Sequence, residues 1–229
     1  LSSRILPLHA ACSYNREIMA QLLEVHPLNP QARILKKAAA LLAQGEVLAI
    51  PTDSGYALAC HIDDKAASDR MRQIRGVDDK HHLTLLCRDL SELSSYARVD
   101  NRQLRLLKQG TPGAFTFILE ASKEVPRRLS HPSHKTIGLR VPKHSVLQAL
   151  LDEHNGPLLV TTLIPAEAEQ PLYDAQEVAQ TVGHLLAGIV DAGACPATPT
   201  TVVDLTTMDN NGAPSLVRQG AGDLAVLGM

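Results

Sequence analysis

The sequence is poor in aromatic side chains: phenylalanine, tyrosine and tryptophan make up 3% of its 229 residues, and tryptophan is absent. A hydrophobic core must therefore be built from leucine, valine, isoleucine and alanine. Base stacking on aromatic platforms, which many RNA-binding modules use, is correspondingly disfavoured.

Flexible linkers are also missing, since no proline-rich, glycine-rich or low-complexity stretch divides the chain. We therefore predict a single domain over residues 19–229. Residues 1–18 show no periodicity that joins them to the rest of the chain, and we predict that they form an N-terminal extension.

Paired cysteines and long apolar runs are lacking as well. The four cysteines include no CxxC pair, so we expect small buried hydrophobic side chains in a reducing compartment. No apolar run approaches membrane-spanning length, and the first residues lack the pattern of a signal peptide. The sequence therefore predicts a cytoplasmic protein that makes no membrane contact.

Motifs of several enzyme classes are not found, among them GxxxxGK[ST], HExxH and GxSxG. His131 and His134 have the spacing of metal ligands. No second pair of cysteine or histidine residues lies at zinc-site distance, so we predict surface histidines rather than a metal site.

Charge is distributed unevenly along the chain. Before residue 151, 21 basic residues outweigh 14 acidic ones and give +7, whereas one basic residue and ten acidic ones afterwards give −9. This asymmetry fits a positive face for an anionic partner. It fits equally a solvated surface whose two signs pair on folding.

Segments typical of strands and of helices alternate along the sequence. Asn29-Pro30, Asp63 or Asp64, Asp89, Asp100 and Asp174 are placed to open helices. Apolar runs between them predict strands, and a turn at 209–212 predicts a closing hairpin. The predicted fold is α/β, a twisted mixed β-sheet with helices packed on it.

A polar turn, Thr52–Ser54, separates the apolar runs 47–50 and 56–62. Pro51 ends the first run, because proline cannot donate to a strand ladder, and Gly55 permits a tight turn. Two hydroxyl groups and a carboxylate at a strand end are typical of a ligand site. The same three residues would also serve simply to cap a turn.

Basic residues follow several predicted strands. A phosphate-bearing ligand needs several such donors, although each cluster alone is more typical of a solvated face. These clusters comprise Arg72, Arg75 and Lys80, then Lys123, Arg127, Arg128, Lys135, Arg140 and Lys143.

Five motifs follow one another along the chain: Pro51-Thr52-Asp53-Ser54-Gly55-Tyr56-Ala57-Leu58, Thr111-Pro112-Gly113-Ala114-Phe115-Thr116-Phe117, Gly138-Leu139-Arg140-Val141-Pro142, Pro199-Thr200-Thr201-Val202-Val203-Asp204-Leu205 and Val217-Arg218-Gln219-Gly220. In this order they resemble the YrdC family of threonylcarbamoyl-AMP synthases. Details such as Pro51-Thr52-Asp53-Ser54-Gly55-Tyr56 and Ser122-Lys123-Glu124-Val125-Pro126-Arg127-Arg128-Leu129 resemble its YciO branch. The resemblance covers the chain from about Pro27 onward.

The resemblance implies a sheet with a positively charged concave face that binds ATP and L-threonine. Such an enzyme joins L-threonine, bicarbonate and ATP into threonylcarbamoyl-adenylate and releases pyrophosphate, in the pathway of tRNA t6A modification. Mg²⁺ would help to stabilise the phosphate charge, and no residue would act as a covalent nucleophile. Double-stranded RNA or tRNA is the implied macromolecular partner.

The resemblance also assigns residues. Threonine would contact Thr52, Ser54, Arg140 and Thr201. ATP would contact Arg75, Lys80, Thr162 and Arg218. RNA would meet Lys123, Arg127, Arg128, Lys135 and Lys143.

Two positions depart from the family pattern. Val77 stands where the family has the arginine of its Lys-x-Arg pair, and Ile164 stands where it has the asparagine of its Ser-x-Asn pair. The loss of one such donor typically costs roughly 3 kcal/mol of transition-state stabilisation. A weak synthase is therefore one prediction. The alternatives are a non-catalytic RNA- or nucleotide-binding protein, and a hydrolase or carbamoyl-transfer relative acting on another small molecule.

Overall fold

A computed structural model describes residues 20–78, 81–130 and 134–229. In these residues the chain forms six α-helices and ten strands. The helices are α1 Ala32–Ala43, α2 Lys65–Arg75, α3 Leu90–Tyr96, α4 Asn101–Gly110, α5 Ser145–His154 and α6 Ala175–Val182. The strands are β1 Gln21–Glu24, β2 Leu48–Thr52, β3 Gly55–His61, β4 Thr84–Leu86, β5 Phe115–Glu120, β6 Thr136–Arg140, β7 Leu158–Thr162, β8 Gly188–Asp191, β9 Thr201–Asp204 and β10 Ser215–Arg218.

All ten strands belong to one sheet, in the order β1-β8-β2-β3-β7-β4-β6-β5-β9-β10. The sheet contains parallel pairs such as β4–β6 and β5–β9 and antiparallel pairs such as β5–β6 and β3–β7. The prediction of a twisted mixed sheet is confirmed. Strand β1 was not predicted, because its two leucines are adjacent and only Leu23 is buried, so the four residues show no alternation.

Helices cover one face of the sheet fully and the other face in part. One face packs on α2, α3, α4 and α6 through residues such as Met71, Leu93, Leu107 and Val178. On the opposite face, α1 and α5 pack over β2, β3, β7 and β8. Among the described residues, neither α1 nor α5 extends over β6, β5 and β9 on this second face. That half of the face is left as a hollow.

Most helix starts follow the predicted capping residues. The carboxylates of Asp64, Asp89, Asp100 and Asp174 each accept a hydrogen bond from an amide in the first turn. The prediction for Asn29-Pro30 was wrong, and α1 begins two residues later.

The late start of α1 has a local cause. The amides of Leu28 and Asn29 donate to Nδ1 of His26, which closes a separate turn before the helix. Gln31 takes the cap position without a capping hydrogen bond, because its side chain accepts from the His26 amide instead.

Two further predictions concern the closing hairpin and the N-terminal extension. The closing hairpin is confirmed, since β9 and β10 pair antiparallel, with a 3-10 helix over Thr206–Asn211 between them. The predicted extension, residues 1–18, lies outside the described residues. Within the described part of the chain, every helix is too short or too polar to cross a bilayer.

Candidate functional site

The hollow on the uncovered half of the sheet contains a cavity of about 270 Å³. Its floor consists of alternate residues from neighbouring strands, because every second side chain of a strand points to the same face. Thr84 of β4, Gly138 and Arg140 of β6, and Thr116 and Ile118 of β5 line it. The residues between them, including Leu85, Ile137, Leu139 and Phe117, point into the core on the other side.

Gly138 gives the cavity its depth. A Cβ at this position would lie 3.0 Å from Oγ1 of Thr84 and 3.5 Å from the Thr116 methyl group. Thr84 and Thr116 therefore leave little room for a side chain at residue 138, and a larger residue there would project into the cavity.

The cationic centre of the cavity is Arg140, at the end of β6. Its side chain is 8% exposed and forms an ion pair with Asp53, whose side chain is 16% exposed. Nη1 donates to Oγ of Ser54 at 3.0 Å, and the second Asp53 oxygen accepts from the Lys143 amide at 3.2 Å. Nε of Arg140 is buried and has no hydrogen-bond partner among the described residues. A buried donor without a partner is costly and is suited to a ligand oxygen.

The polar turn between β2 and β3 is held rigidly beside Arg140. Oγ1 of Thr52 donates to the Gly55 carbonyl at 2.6 Å and accepts from the Ser54 amide at 3.0 Å. Gly55 has φ +102°, a conformation that favours glycine. Thr52 and Ser54 also line the cavity. These residues therefore cap a turn and face the cavity at the same time.

Two further guanidinium groups line the same cavity. Arg75, in the last turn of α2, donates from Nη1 to the Ile164 carbonyl at 3.2 Å, and its buried Nε has no partner among the described residues. Arg218 of β10 donates to the Thr200 carbonyl from Nε and Nη2 at 3.2 and 3.0 Å. These backbone contacts orient both groups.

Burial lowers the pKa of all three arginines, and the neighbouring charge of Arg218 lowers that of Arg140 further while Asp53 raises it. Arginine nevertheless remains protonated at physiological pH. A small anion placed in this cavity would therefore meet three guanidinium groups, of which that of Arg140 is already paired with Asp53.

Of the residues predicted to bind threonine, Thr201 has a different environment. It is fully buried, donates from Oγ1 to the Gly222 carbonyl at 2.8 Å and accepts from the Gly220 amide at 2.9 Å. Thr200, its neighbour, lines the cavity instead. Thr201 thus fastens the C-terminal segment behind the site.

The residues predicted to bind ATP are brought together in part. Thr162 lines the cavity with Arg75 and Arg218, and Lys80 lies outside the described residues. Of the two positions that depart from the family pattern, Ile164 lines the cavity and Val77 does not. The apolar departure that faces the cavity is therefore Ile164.

The residues predicted to bind RNA do not form one cluster. Lys123 and Arg127 are exposed after β5, and Lys135 is exposed before β6. Arg128 belongs to the same region and donates to the Ile62 carbonyl at 2.8 Å. Lys143 lies beyond the opposite end of β6. The five-residue strand between them spans roughly 17 Å.

Lys143 lines a larger groove of about 530 Å³ together with Arg88, Lys108, Pro112 and Val141. Arg88 lies 3.8 Å from carboxylate oxygens of Asp89 and Asp152. The smaller cavity is the better candidate site, because it contains the buried donors without partners.

Several cavity residues were not anticipated. Thr84, Thr116 and Thr200 line the cavity, and their signal in the sequence is a threonine within, or directly before, a largely apolar strand. His81 and His82 line the wall that follows α2. No pattern in the sequence marks these two histidines.

The cavity fits a divalent cation poorly. No carboxylate occurs among its lining residues as described, and Asp53 beside it is committed to Arg140. Within the described ranges, no cluster of three potential metal ligands is found. Mg²⁺ normally binds through one or two carboxylates plus substrate phosphates.

Together, the half-covered mixed sheet and its three guanidinium groups, of which that of Arg140 is buried, define an α/β protein with a cationic cavity on one face of its sheet. The family model Sua5/YciO/YrdC, described as telomere recombination, matches residues 40–220. The chain belongs to this family.

Known relatives fall into two groups. The chain is 45% identical to YciO of Escherichia coli K12, an uncharacterised protein, over 90% of this chain and 98% of that one. The crystal structure of E. coli YciO superposes with a TM-score of 0.85 over 91% of this chain and all of the other. The chain is also 33% identical to human threonylcarbamoyl-AMP synthase, over 56% of this chain and 45% of that protein.

A more distant structure shares the fold. Sua5 of P. abyssi, crystallised with L-threonine, superposes with a TM-score of 0.79 at 23% identity, over 87% of this chain and 57% of that one. A YrdC-like fold is thereby confirmed.

Proposed function

We propose that the protein binds L-threonine and ATP in the cavity and catalyses a threonylcarbamoyl-AMP synthase-type reaction, as a contribution to tRNA t6A modification. L-threonine, bicarbonate and ATP would yield threonylcarbamoyl-adenylate, pyrophosphate and water. The observation that carries the proposal is Arg140. Its buried Nε lacks a partner among the described residues, and it lines one cavity with Thr52, Ser54, Arg75 and Arg218.

Threonine binding would use the end of the cavity at the β2–β3 turn. A carboxylate matches the planar fork of a guanidinium, and Arg140 still has N–H groups that Asp53 and Ser54 do not use. The hydroxyl groups of Thr52 and Ser54 would then lie beside the amino acid. The relationship to human threonylcarbamoyl-AMP synthase and the threonine-bound P. abyssi Sua5 support this choice of ligand.

The chemical step needs positioning and charge stabilisation more than a reactive side chain. A carbamate oxygen of N-carboxythreonine attacks the α-phosphorus of ATP, the bond to the β-phosphate oxygen breaks, and pyrophosphate leaves. Arg75 and Arg218 would offset the charge on the phosphates. Ile164, an apolar residue in the cavity wall, would weaken this stabilisation.

RNA is the proposed macromolecular partner, and its contacts would lie on the exposed cations around the β5–β6 connection. A non-catalytic RNA- or nucleotide-binding protein is the second candidate function. The observation that favours it is Ile164, which places an apolar side chain in the cavity wall where the family pattern has an asparagine.

The deciding experiment measures pyrophosphate release with each of L-threonine, bicarbonate and ATP omitted in turn. The proposal expects release only when all three are present. Arg75→Gln should reduce the rate by at least tenfold. Arg70→Gln is the matched control on the same helix, since Arg70 is exposed, pairs with Glu46 and does not line the cavity.

Release that is independent of threonine and bicarbonate would overturn the synthase proposal. Binding of duplex RNA that weakens steeply with salt, without any turnover, would support the second candidate function.

A further inference from the structure

One wall of the cavity carries a histidine whose position is set by its neighbours. His81 is half-buried and lines the cavity together with Arg75, Thr161 and Thr162. Its Nε2 lies 3.4 Å from Oγ1 of Thr161, a residue that is 6% exposed on β7. The imidazole is therefore held against the sheet at the same wall as Arg75.

Burial and the charged groups around His81 make a second proton unfavourable in the free protein. Burial is the main cause that lowers the pKa of His81; Arg75, His82 and Arg72 lower it further, and Asp78 raises it. The facing residue of β7 is the uncharged Thr161. The imidazole is consequently neutral near pH 7 in the free protein.

We propose that His81 is a ligand-contacting residue that meets the phosphate groups of the bound nucleotide beside Arg75 and takes up a proton from solvent as they bind. The inference rests on the proposed binding of ATP in this cavity. Two observations carry it: His81 lines the same cavity as Arg75, with its Nε2 3.4 Å from Oγ1 of Thr161, and Nε of Arg75 is buried without a partner among the described residues. Both groups lie where an anion would satisfy them.

The direction of the linkage follows from the charges. A phosphate near the ring offsets the repulsion from Arg72, Arg75 and His82, so it raises the pKa of His81 above its value in the free protein. Binding therefore takes up a proton, and affinity increases as the pH falls through the pKa of the complex and levels off below the pKa of the free protein. No covalent bond changes in this step.

The test is isothermal titration calorimetry of AMPPNP, a non-hydrolysable ATP analogue, at pH 6 and pH 8. Each titration is run in two buffers with different ionisation enthalpies, which gives the number of protons taken up. For a pKa increase of about one unit, the wild type should bind up to about tenfold more tightly at the lower pH.

The His81→Gln variant isolates the contribution of the proton, because glutamine can hydrogen-bond from a similar position but cannot be protonated. At pH 8 it should bind AMPPNP with the affinity of the wild type. At pH 6 it should lose most of the wild type's increase in affinity and most of its proton uptake. His184→Gln is the control, since His184 is exposed and does not line the cavity. Protonation of AMPPNP itself is common to all three proteins and cancels in the comparison.

Equal proton uptake by the wild type and His81→Gln would refute the inference and leave the proposed function standing. If the wild type does not bind AMPPNP at all, the nucleotide part of the proposed function fails, and this inference fails with it.

Discussion

Replacing Arg140 by alanine should abolish threonine binding. Arg140 is the most deeply buried of the three cavity arginines, and its guanidinium already contacts the β2–β3 turn through Asp53 and Ser54. The substitution removes the group that would pair with the threonine carboxylate. It also leaves the Asp53 carboxylate without its cation.

The two effects have separate magnitudes. Loss of one partner of a buried, hydrogen-bonded charge pair costs about 2–5 kcal/mol of binding, which is about 30-fold to 5,000-fold in affinity. Removal of one member of a buried ion pair costs about 3–5 kcal/mol of folding stability. We expect the loss of folding stability to lie at the lower end of its range, because Asp53 keeps its hydrogen bond from the Lys143 amide.

A double variant separates ligand binding from stability. Asp53→Asn combined with Arg140→Ala removes the uncompensated charge and keeps an oxygen acceptor for the Lys143 amide. Thermal melting should show that the double variant recovers most of the stability lost by Arg140→Ala alone. Calorimetry with L-threonine should detect no binding by either protein. If the folded double variant binds threonine with wild-type affinity, the assignment of Arg140 is wrong.

Three further predictions concern Gly138 in the cavity floor, the family departures Val77 and Ile164, and Thr201 behind the cavity. Gly138→Val should fill the cavity floor and weaken threonine and nucleotide binding by at least tenfold in calorimetry, whereas unchanged affinity would show that ligands bind elsewhere. Val77→Arg with Ile164→Asn should raise the rate of pyrophosphate release, mainly through Ile164, and no gain in a folded protein would count against the proposed mechanism. Thr201→Val should lower the free energy of unfolding by about 1–3 kcal/mol, because two backbone hydrogen bonds lose their partner; chemical denaturation that shows no change would refute its fastening role.

Local features of the structure were predictable because they depend on neighbours in sequence. Aspartates placed before apolar periodic segments formed helix caps at Asp64, Asp89, Asp100 and Asp174. The same reasoning failed at Asn29, where a competing turn around His26 takes up the amides first. Backbone groups before a helix have several local partners available, and composition alone does not rank them.

The sequence by itself determined the alternation of strands and helices, the polar turn at Thr52–Ser54 and a supply of basic residues after the strands. Only the tertiary structure decided which of those residues share a cavity. Arg75, Arg140 and Arg218 meet because the order β7-β4-β6-β5-β9-β10 brings distant segments side by side. Lys143 and Lys123, close in the same basic stretch of sequence, lie beyond opposite ends of β6.

Strand register decides which of two adjacent threonines lines the cavity. Thr200 and Thr201 are adjacent and chemically identical, yet the first lines the cavity and the second is fully buried behind it. Successive side chains of an extended segment point to opposite faces, so a shift of one residue exchanges their roles. Register is set by long-range pairing with β5 and β10, which no local pattern records.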